Sequence, residues 1–446
     1  MIYKSNMLNN IYAFLHFILL FYVLFVPPIF PKSWKVSYII LLIMAFNIII
    51  KYNKYLCVLQ KNKFIKRHIM QYVIFILYVV IISLIGYYFD DNNIPLKLYL
   101  KNIRTFTVDM LALSIIVLYE TFRTISYRKN ISHLLIFLIF MGVMQGVFAS
   151  ITFIFSNIKE YIDNLALING YLLEIHNISI LSNRSYGFAT ELFSPFGTAM
   201  GILASLSMFY SFYFNKSRYL FYTLIISVSV LLNSRTGILF IVMGIFFLML
   251  FSINKFNKLI NFMGTTLFIS TMFCLALLFI GDINTSTYRW ILNGINDLLC
   301  FFSGNQISEH GSSLAVLISS RFWTFPEGLE LFLGAGRSSY ALSSLYGLDL
   351  PSSDVGYVNV VWSIGILGSL YLLYFYSTIF YYAYKNSASK FEKVILLYLY
   401  MSFLLSNIKQ DTYSFSKPMI FIFIVPLFII AKKILYSTNI KTFYYR

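Results

Sequence analysis

Charged side chains are scarce in this sequence. Only 11% of its 446 residues are Asp, Glu, Lys or Arg, whereas 59% are hydrophobic and 19% are aromatic. Soluble domains carry about 25% charged residues, so the composition excludes a soluble multidomain protein. It predicts an all-α polytopic membrane protein with a single membrane domain over residues 1–446.

Cysteine and histidine are rare as well. Cys57, Cys274 and Cys300 fall in three different compartments of the predicted topology, so no structural disulfide is expected. None of the five histidines has the i, i+4 spacing of a helical zinc site, and the sequence holds no Walker or dinucleotide-binding glycine motif. We therefore predict no protein-bound metal and no cofactor.

Long apolar runs recur along the chain at lengths that fit a hydrocarbon core of about 30 Å. They predict about twelve transmembrane helices, several of them short. The predicted spans are 11–30, 36–50, 69–89, 105–119, 133–155, 195–214, 219–233, 238–253, 259–280, 356–384, 394–406 and 418–436.

The basic residues orient these spans, because cytoplasmic loops collect Lys and Arg. With the amino terminus inside, 21 of the 34 basic residues and only 2 of the 17 acidic residues fall on the cytoplasmic side. Both termini are then predicted to be cytoplasmic. This distribution explains the net charge of +17 by membrane orientation and contact with anionic lipids, rather than by nucleic-acid binding.

Two predicted outer loops, 156–194 and 281–355, are long, whereas the cytoplasmic connections are short and basic. Long connections between packed elements are commonly functional, so any chemistry is expected at the outer face. Apolar residues recur at helical spacing near Trp290 and Trp323. This pattern predicts two or three short helices on the outer leaflet.

Five arginines lie in outer segments of this topology. Arginine presents a planar fork that binds phosphate bidentately and keeps its charge, so arginines that converge on one cleft can bind a diphosphate without a metal. Arg235 stands out because an apolar run resumes directly after it, and an unpartnered arginine costs about 2.5–3.5 kcal/mol at the centre of a span. For each arginine alone, a lipid headgroup contact or a loop salt bridge is the alternative. The set is Arg184, Arg235, Arg289, Arg321 and Arg337.

Several stretches, in order along the chain, resemble the O-antigen and capsule polymerases (Wzy-type) and the related O-antigen ligases. Ser234-Arg235-Thr236-Gly237 is similar to their Ser-Arg-Thr/Gly signature at an outer span end. Two further stretches run from Arg184 to Gly197 and from Arg321 to Gly336, and Asp354-Val355-Gly356-Tyr357 is similar to the family's return into the membrane. The resemblance covers about residues 180–370.

This resemblance implies a GT-C-like membrane glycosyltransferase in the bacterial cytoplasmic membrane. It would join polyprenyl-diphosphate-linked oligosaccharide repeats into a surface polysaccharide, with polyprenyl diphosphate as the leaving group. Arg184, Arg235 and Arg321 would stabilise the charge that develops on that leaving group. The implied partners are the lipid-linked glycans, membrane lipids, a chain-length regulator and a flippase, and no nucleic acid is expected.

An inverting displacement also needs a base for the acceptor hydroxyl. The candidates are outer-facing titratable residues, and the sequence does not rank them. They are His310, Glu309, Glu191 and Asp354. Glu191 alternatively pairs with Arg184. His310 is followed after ten residues by Arg321 rather than by the glycine of the ligases, which favours polymerase over ligase.

Other classes of protein stay open. About twelve spans suit a flippase or another secondary transporter, although no repeat is visible at the half-way point, and a noncatalytic assembly subunit is the third alternative. Asp109, the one acidic residue predicted inside a span, marks a proton or substrate path or is neutralised by Arg104 or His133. Gly142 and Gly146 form a small-xxx-small pair that predicts close helix packing.

Overall fold

The computed structural model describes residues 2–27, 33–89, 96–126, 130–168, 187–189, 194–233, 236–252, 323–337, 355–409 and 417–437, with the single residues 257, 260, 262 and 264. This part of the chain is helical and contains no strand. Six of its helices are long and apolar enough to cross a membrane, or seven if the bent pair Lys35–Lys51 and Asn53–Lys61 counts as one span. These helices confirm the prediction of an all-α multi-pass membrane protein, but not the predicted number of about twelve spans.

The helices follow one another with short connections over much of the described chain. A π-helical turn, Thr105–Asp109, joins α5 to α6. The helices are α1 (Ile2–Phe25), α2 (Ser33–Lys51), α3 (Asn53–Lys61), α4 (Lys63–Tyr88), α5 (Leu96–Arg104), α6 (Met110–Ser126), α7 (Ile131–Ile154), α8 (Ser156–Ile168), α9 (Ser194–Phe214), α10 (Arg218–Asn233), α11 (Thr236–Phe251), α12 (Gly328–Leu333), α13 (Gly356–Asn386), α14 (Lys390–Lys409) and α15 (Lys417–Ser437).

The chain divides into two compact units. Unit 1 comprises Met1–Met44 and Ser132–Leu299, and unit 2 comprises Ala45–Ile131 and Cys300–Arg446. In unit 1, α9, α10 and α11 pack on one another. Small residues permit this packing, because a Cβ atom on Gly201 would lie 2.3 Å from the carbonyl oxygen of Gly237.

The predicted small-xxx-small pair of α7 also lies at a helix contact within unit 1. A Cβ atom on Gly146 would lie 2.6 Å from the Ile225 carbonyl oxygen, and one on Gly142 would lie 3.1 Å from side-chain atoms of Ile226 and Leu203. These distances confirm that the two glycines permit close helix packing.

In unit 2, α13 contacts α4, α12, α14 and α15, and α15 also packs against α3 and α6. The predicted fourth span, 105–119, lies within one helical run, in which α5, the π turn and α6 extend from Leu96 to Ser126. Lys97 and Lys101 lie on an exposed face of α5, while Tyr99 and Asn102 are buried. Charges on one face and buried residues on the other make α5 an amphipathic helix.

Candidate functional site

Most of the residues selected from the sequence fall outside the described part of the chain. Arg337 is the arginine of that set whose side chain the structure describes, and its surroundings define the candidate site. Arg184, Glu191, Arg235, Arg289, His310 and Arg321 lie outside the described residues, as do Glu309 and Asp354. Asp109 ends the π turn in a helix that can cross a membrane, and its side chain is not among those described.

The Arg337 guanidinium is buried against an aromatic face. The residue is only 7% exposed, and its Cζ atom lies 5.7 Å from the ring centroid of Trp362 on α13. The ion pairs Glu120–Arg123 and Lys159–Asp163 lie within the described ranges, and Arg337 is in neither of them. The ring stabilises the positive charge but leaves the five N–H donors of the fork able to bind an anion.

A short glycine segment brings Arg337 to this position. Gly334 and Gly336, which precede it, have φ angles of 90° and 70°, a region that residues with a Cβ atom rarely adopt. A Cβ atom on Gly336 would lie 2.4 Å from the carbonyl oxygen of Ile82 on α4. The sequence Gly334-Ala335-Gly336-Arg337 is therefore fitted backbone to backbone against a helix that can cross the membrane.

The neighbouring helix is interrupted where this segment docks. Gly365, inside α13, has φ 67° and ψ 179°, which breaks the helical path, and carbonyl groups near a break lose intrahelical partners. The Trp362 carbonyl accepts a hydrogen bond of 2.8 Å from the Ala335 N–H. The Tyr78 hydroxyl lies 2.9 Å from the Ile364 oxygen and 2.8 Å from the Leu333 oxygen.

Asn102 on α5 holds the other end of the glycine segment. Its buried Nδ2 donates to the Gly336 carbonyl at 3.1 Å and to the Ser83 hydroxyl of α4 at 3.3 Å. The indole Nε1 of Trp362 donates to the Thr324 carbonyl at 3.0 Å. Both the segment that carries Arg337 and the ring beside it are therefore fixed by hydrogen bonds.

These contacts lie at one end of the helices of unit 2. Ile82 and Ser83 are about two turns from the carboxyl end of α4, Asn102 is in the short helix after the next connection, and Trp362 is in the second turn of α13. The predicted 281–355 loop ends just before α13, and the six-residue α12 lies within it. Leu329 and Phe332 of α12 expose 78% and 54% of their surface, as expected for a helix at a membrane interface.

In unit 1, parts of two other selected stretches come together. A Cβ atom on Gly237, which closes Ser234-Arg235-Thr236-Gly237, would lie 2.3 Å from the carbonyl oxygen of Gly197, which closes the stretch that begins at Arg184. Gly187 of the same stretch has φ 60°, and a Cβ atom there would lie 2.8 Å from the Ala149 nitrogen of α7. Gly197 and Gly237, each from a stretch that resembles the polymerases, thus allow the starts of α9 and α11 to lie in contact.

Sequence reasoning missed Tyr78, Asn102 and Trp362 as parts of a site. No motif marks them, and their connection to residues 333–337 spans more than 230 positions for the first two. One usable signal was Asn102, which falls on the opposite face of α5 from Lys97 and Lys101. A polar residue on the buried face of an amphipathic helix indicates a specific hydrogen-bond partner.

Across the described ranges, no three His, Cys, Asp or Glu side chains are grouped so that they could hold a metal ion. No known protein-family model and no curated protein sequence matches this chain.

Proposed function

We propose that the protein polymerises polyprenyl-diphosphate-linked oligosaccharide repeats into a surface polysaccharide such as an O-antigen or capsule. The observation that carries this proposal is Arg337, a buried guanidinium with an aromatic neighbour and no acidic partner among the described residues. A cation kept in such a place favours an anionic ligand. The diphosphate of a lipid-linked sugar is an anion that reaches the membrane interface.

The chemistry requires little from the protein beyond placement and charge. The acceptor hydroxyl attacks the anomeric carbon, the bond from that carbon to the diphosphate oxygen breaks, and the proton of the hydroxyl passes to a base. Negative charge grows on the departing diphosphate, so a fixed cation stabilises the transition state more than the ground state. The activated sugar supplies the free energy, which fits a sequence without a nucleotide-binding motif.

The proposal also specifies the number and orientation of the membrane spans, beyond the six or seven spanning helices described above. We propose about twelve spans in a GT-C-like arrangement, in the bacterial cytoplasmic membrane, with both termini inside and Arg337 at the outer end. The distribution of basic residues supports this orientation. The remaining selected residues, Arg184, Arg235, Arg289 and Arg321, would supply further positive charge to the diphosphate, and His310 or Glu191 would act as the base.

A second candidate function, transport of the same lipid-linked repeats, is favoured by one observation. The interruption of α13 at Gly365, with a loop segment docked into it, is a feature of transporters, whose substrate sites use broken membrane helices. Transport predicts a polar path to both faces, whereas polymerisation predicts a site at one face.

Glycan analysis of a deletion strain tests the proposal. The strain is complemented with wild type, Arg337→Gln, Arg337→Lys or Arg218→Gln. Arg218 is the matched control, because its Cζ atom also lies near a ring, 5.2 Å from that of Tyr219, but its side chain is exposed at the start of α10. We expect a polymer ladder with wild type and Arg218→Gln, and about 100- to 1000-fold less polymer with Arg337→Gln at equal protein level.

The lysine variant separates charge from geometry. Lysine keeps the charge but lacks the planar fork that binds phosphate bidentately, so we expect Arg337→Lys to restore little polymer. A normal ladder from Arg337→Gln would contradict the proposal. Full-length polymer that is not attached to its acceptor in the deletion strain would indicate a ligase, and lipid-linked repeats that accumulate on the cytoplasmic leaflet would indicate a flippase.

A further inference from the structure

Four exposed cations cluster where α3 meets α4, at the opposite end of α4 from the candidate site. They are Lys61, Lys63, Lys66 and Arg67, which we call the basic corner. We propose that the basic corner binds the headgroup phosphate of an anionic phospholipid from the surrounding leaflet. This inference does not depend on the proposed function.

The geometry of the corner is fixed by the backbone. The chain bends by 80° between Lys35–Lys51 and Asn53–Lys61, and Tyr55 and Leu59 of α3 are buried, with α3 packed on α15 and α4. Asn62 is the one residue between α3 and α4, and its side chain accepts hydrogen bonds from the Phe64 and Ile65 N–H groups. The cations on either side of Asn62 are therefore held close to a capped helix terminus.

The charge of the corner is unfavourable without an anion. Lys63, Lys66 and Arg67 lie in the first two turns of α4, whose first turn contains no acidic residue. The amino-terminal end of a helix carries a partial positive charge that repels cations, and because Asn62 already accepts from its amide groups, the four cationic side chains are the groups that would contact a phosphate. No acidic residue precedes Asp90 anywhere in the chain. A cytoplasmic charge bias alone does not require that cations occupy a helix amino terminus, whereas a bound anion would offset their repulsion there.

The surfaces on either side of the corner suit acyl chains. Ile49 and Ile50, near the end of α2, expose 58% and 77% of their surface, and Ile69, Met70 and Val73 of α4 expose about half or more of theirs. Exposed apolar side chains directly beyond a group of cations fit a ligand that is anionic at one end and apolar at the other. This arrangement favours a phospholipid over a nucleic acid or an acidic protein.

The test uses the full-length protein in bilayer discs of phosphatidylcholine, with and without phosphatidylglycerol. Thermal unfolding is measured, and retained phosphatidylglycerol is counted by native mass spectrometry. The test variant carries Lys61→Gln, Lys63→Gln, Lys66→Gln and Arg67→Gln. We expect phosphatidylglycerol to raise the unfolding temperature of wild type, and the variant to lose this increase and to bind the lipid at least about tenfold more weakly.

The direction in which the four substitutions change the unfolding temperature in pure phosphatidylcholine is the more discriminating result. There the variant should unfold at the same temperature as wild type or higher, because its cations no longer face the helix dipole. The matched control removes the same charge from exposed positions of α13, α14 and α15 with Lys385→Gln, Lys390→Gln, Lys393→Gln and Lys433→Gln. It should keep the phosphatidylglycerol effect. Equal loss in the control, or no phosphatidylglycerol effect in wild type, would overturn the proposal.

Discussion

Glycine serves different purposes at two helix contacts, one in each unit. In unit 1, Gly197, Gly201 and Gly237 lie in the regular helices α9 and α11, where they let two backbones touch. In unit 2, Gly334 and Gly365 have positive φ angles and create irregular backbone beside a helix that can cross the membrane. The first arrangement needs only small side chains. The second also needs hydrogen-bond partners for the carbonyl groups that it exposes.

The partners in unit 2 are side chains of other helices, Tyr78 of α4 and Asn102 of α5. Irregular backbone in apolar surroundings persists only where such partners satisfy it. Strained or irregular segments concentrate at functional sites, and here the segment ends at the buried Arg337. The contact of α9 with α11 in unit 1 is therefore regular packing, whereas the contact beside α13 in unit 2 maintains irregular backbone that ends at Arg337.

The largest expected effect comes from Gly365→Ala compared with Gly201→Ala. Both new Cβ atoms would lie within 2.3 Å of a carbonyl oxygen, that of Phe332 for Gly365 and that of Gly237 for Gly201. Only Gly365 also has a φ angle that alanine adopts under strain. We expect Gly365→Ala to lower the free energy of unfolding by about 2–6 kcal/mol and Gly201→Ala by about 1–3 kcal/mol, measured by thermal unfolding in detergent. Equal losses would remove the distinction between the two contacts.

The next effect concerns the hydroxyl that satisfies the broken backbone. Tyr78→Phe removes the donor near the Leu333 and Ile364 carbonyls, so we expect a loss of about 1–3 kcal/mol. Tyr371→Phe is the control, because its hydroxyl donates at 2.8 Å to Gln71, whose carbonyl lies inside the regular helix α4.

We expect the control to cost less than about 1 kcal/mol, since a helical carbonyl keeps its backbone partner. The measurement is again the unfolding midpoint in detergent, at one detergent concentration for all variants. If the control lost as much stability as Tyr78→Phe, the carbonyls beside Gly365 would not depend on Tyr78.

The sequence predicted the parts of this fold that depend on local pattern. Apolar runs identified α4, α7 and α13 as membrane helices, and the Gly142 and Gly146 spacing identified a close helix contact. Periodicity and residue size carry this information directly. The helix that precedes the fourth span, α5, was not predicted, because its charges lie on one face of a helix and look like a loop in the linear sequence.

The site was predictable only in part. Arg337 was selected because its residue type suits phosphate, but nothing in the local sequence ties it to Trp362 or Asn102. Those connections join residues far apart in the chain and depend on how Gly365 interrupts α13. Hydrogen-bonding capacity is a property of each residue, whereas the partner is a property of the fold.

A smaller effect tests whether Arg337 is kept for a ligand rather than for stability. Burial of a charge without an acidic partner costs several kcal/mol, and an apolar replacement of similar size removes that cost. We expect Arg337→Leu to unfold within about 1 kcal/mol of wild type or at higher temperature, although polymer is lost. Trp362→Leu should instead destabilise the protein, because it removes the ring and leaves the charge. Clear destabilisation by Arg337→Leu would assign the arginine a structural role.

The smallest effect comes from a cation in unit 1 that does have an acidic partner. Lys159 Nζ lies 2.8 Å from the Asp163 carboxylate on α8. Burial raises the pKa of Asp163, and the Lys159 ammonium partly opposes this. A raised carboxyl pKa favours the protonated form in the folded state, so its contribution to stability is present at low pH and is lost as pH rises through the folded pKa.

Lys159→Gln should make this loss of stability with rising pH steeper, and Asp163→Asn should abolish it. Near neutral pH, each substitution should change the free energy of unfolding by less than about 0.5 kcal/mol. Thermal unfolding between about pH 3.5 and 7 measures both slopes. A flatter profile for Lys159→Gln would mean that the ammonium does not oppose the effect of burial. The contrast between a paired cation in unit 1 and Arg337, which lies beside the Trp362 ring in unit 2, would then fail.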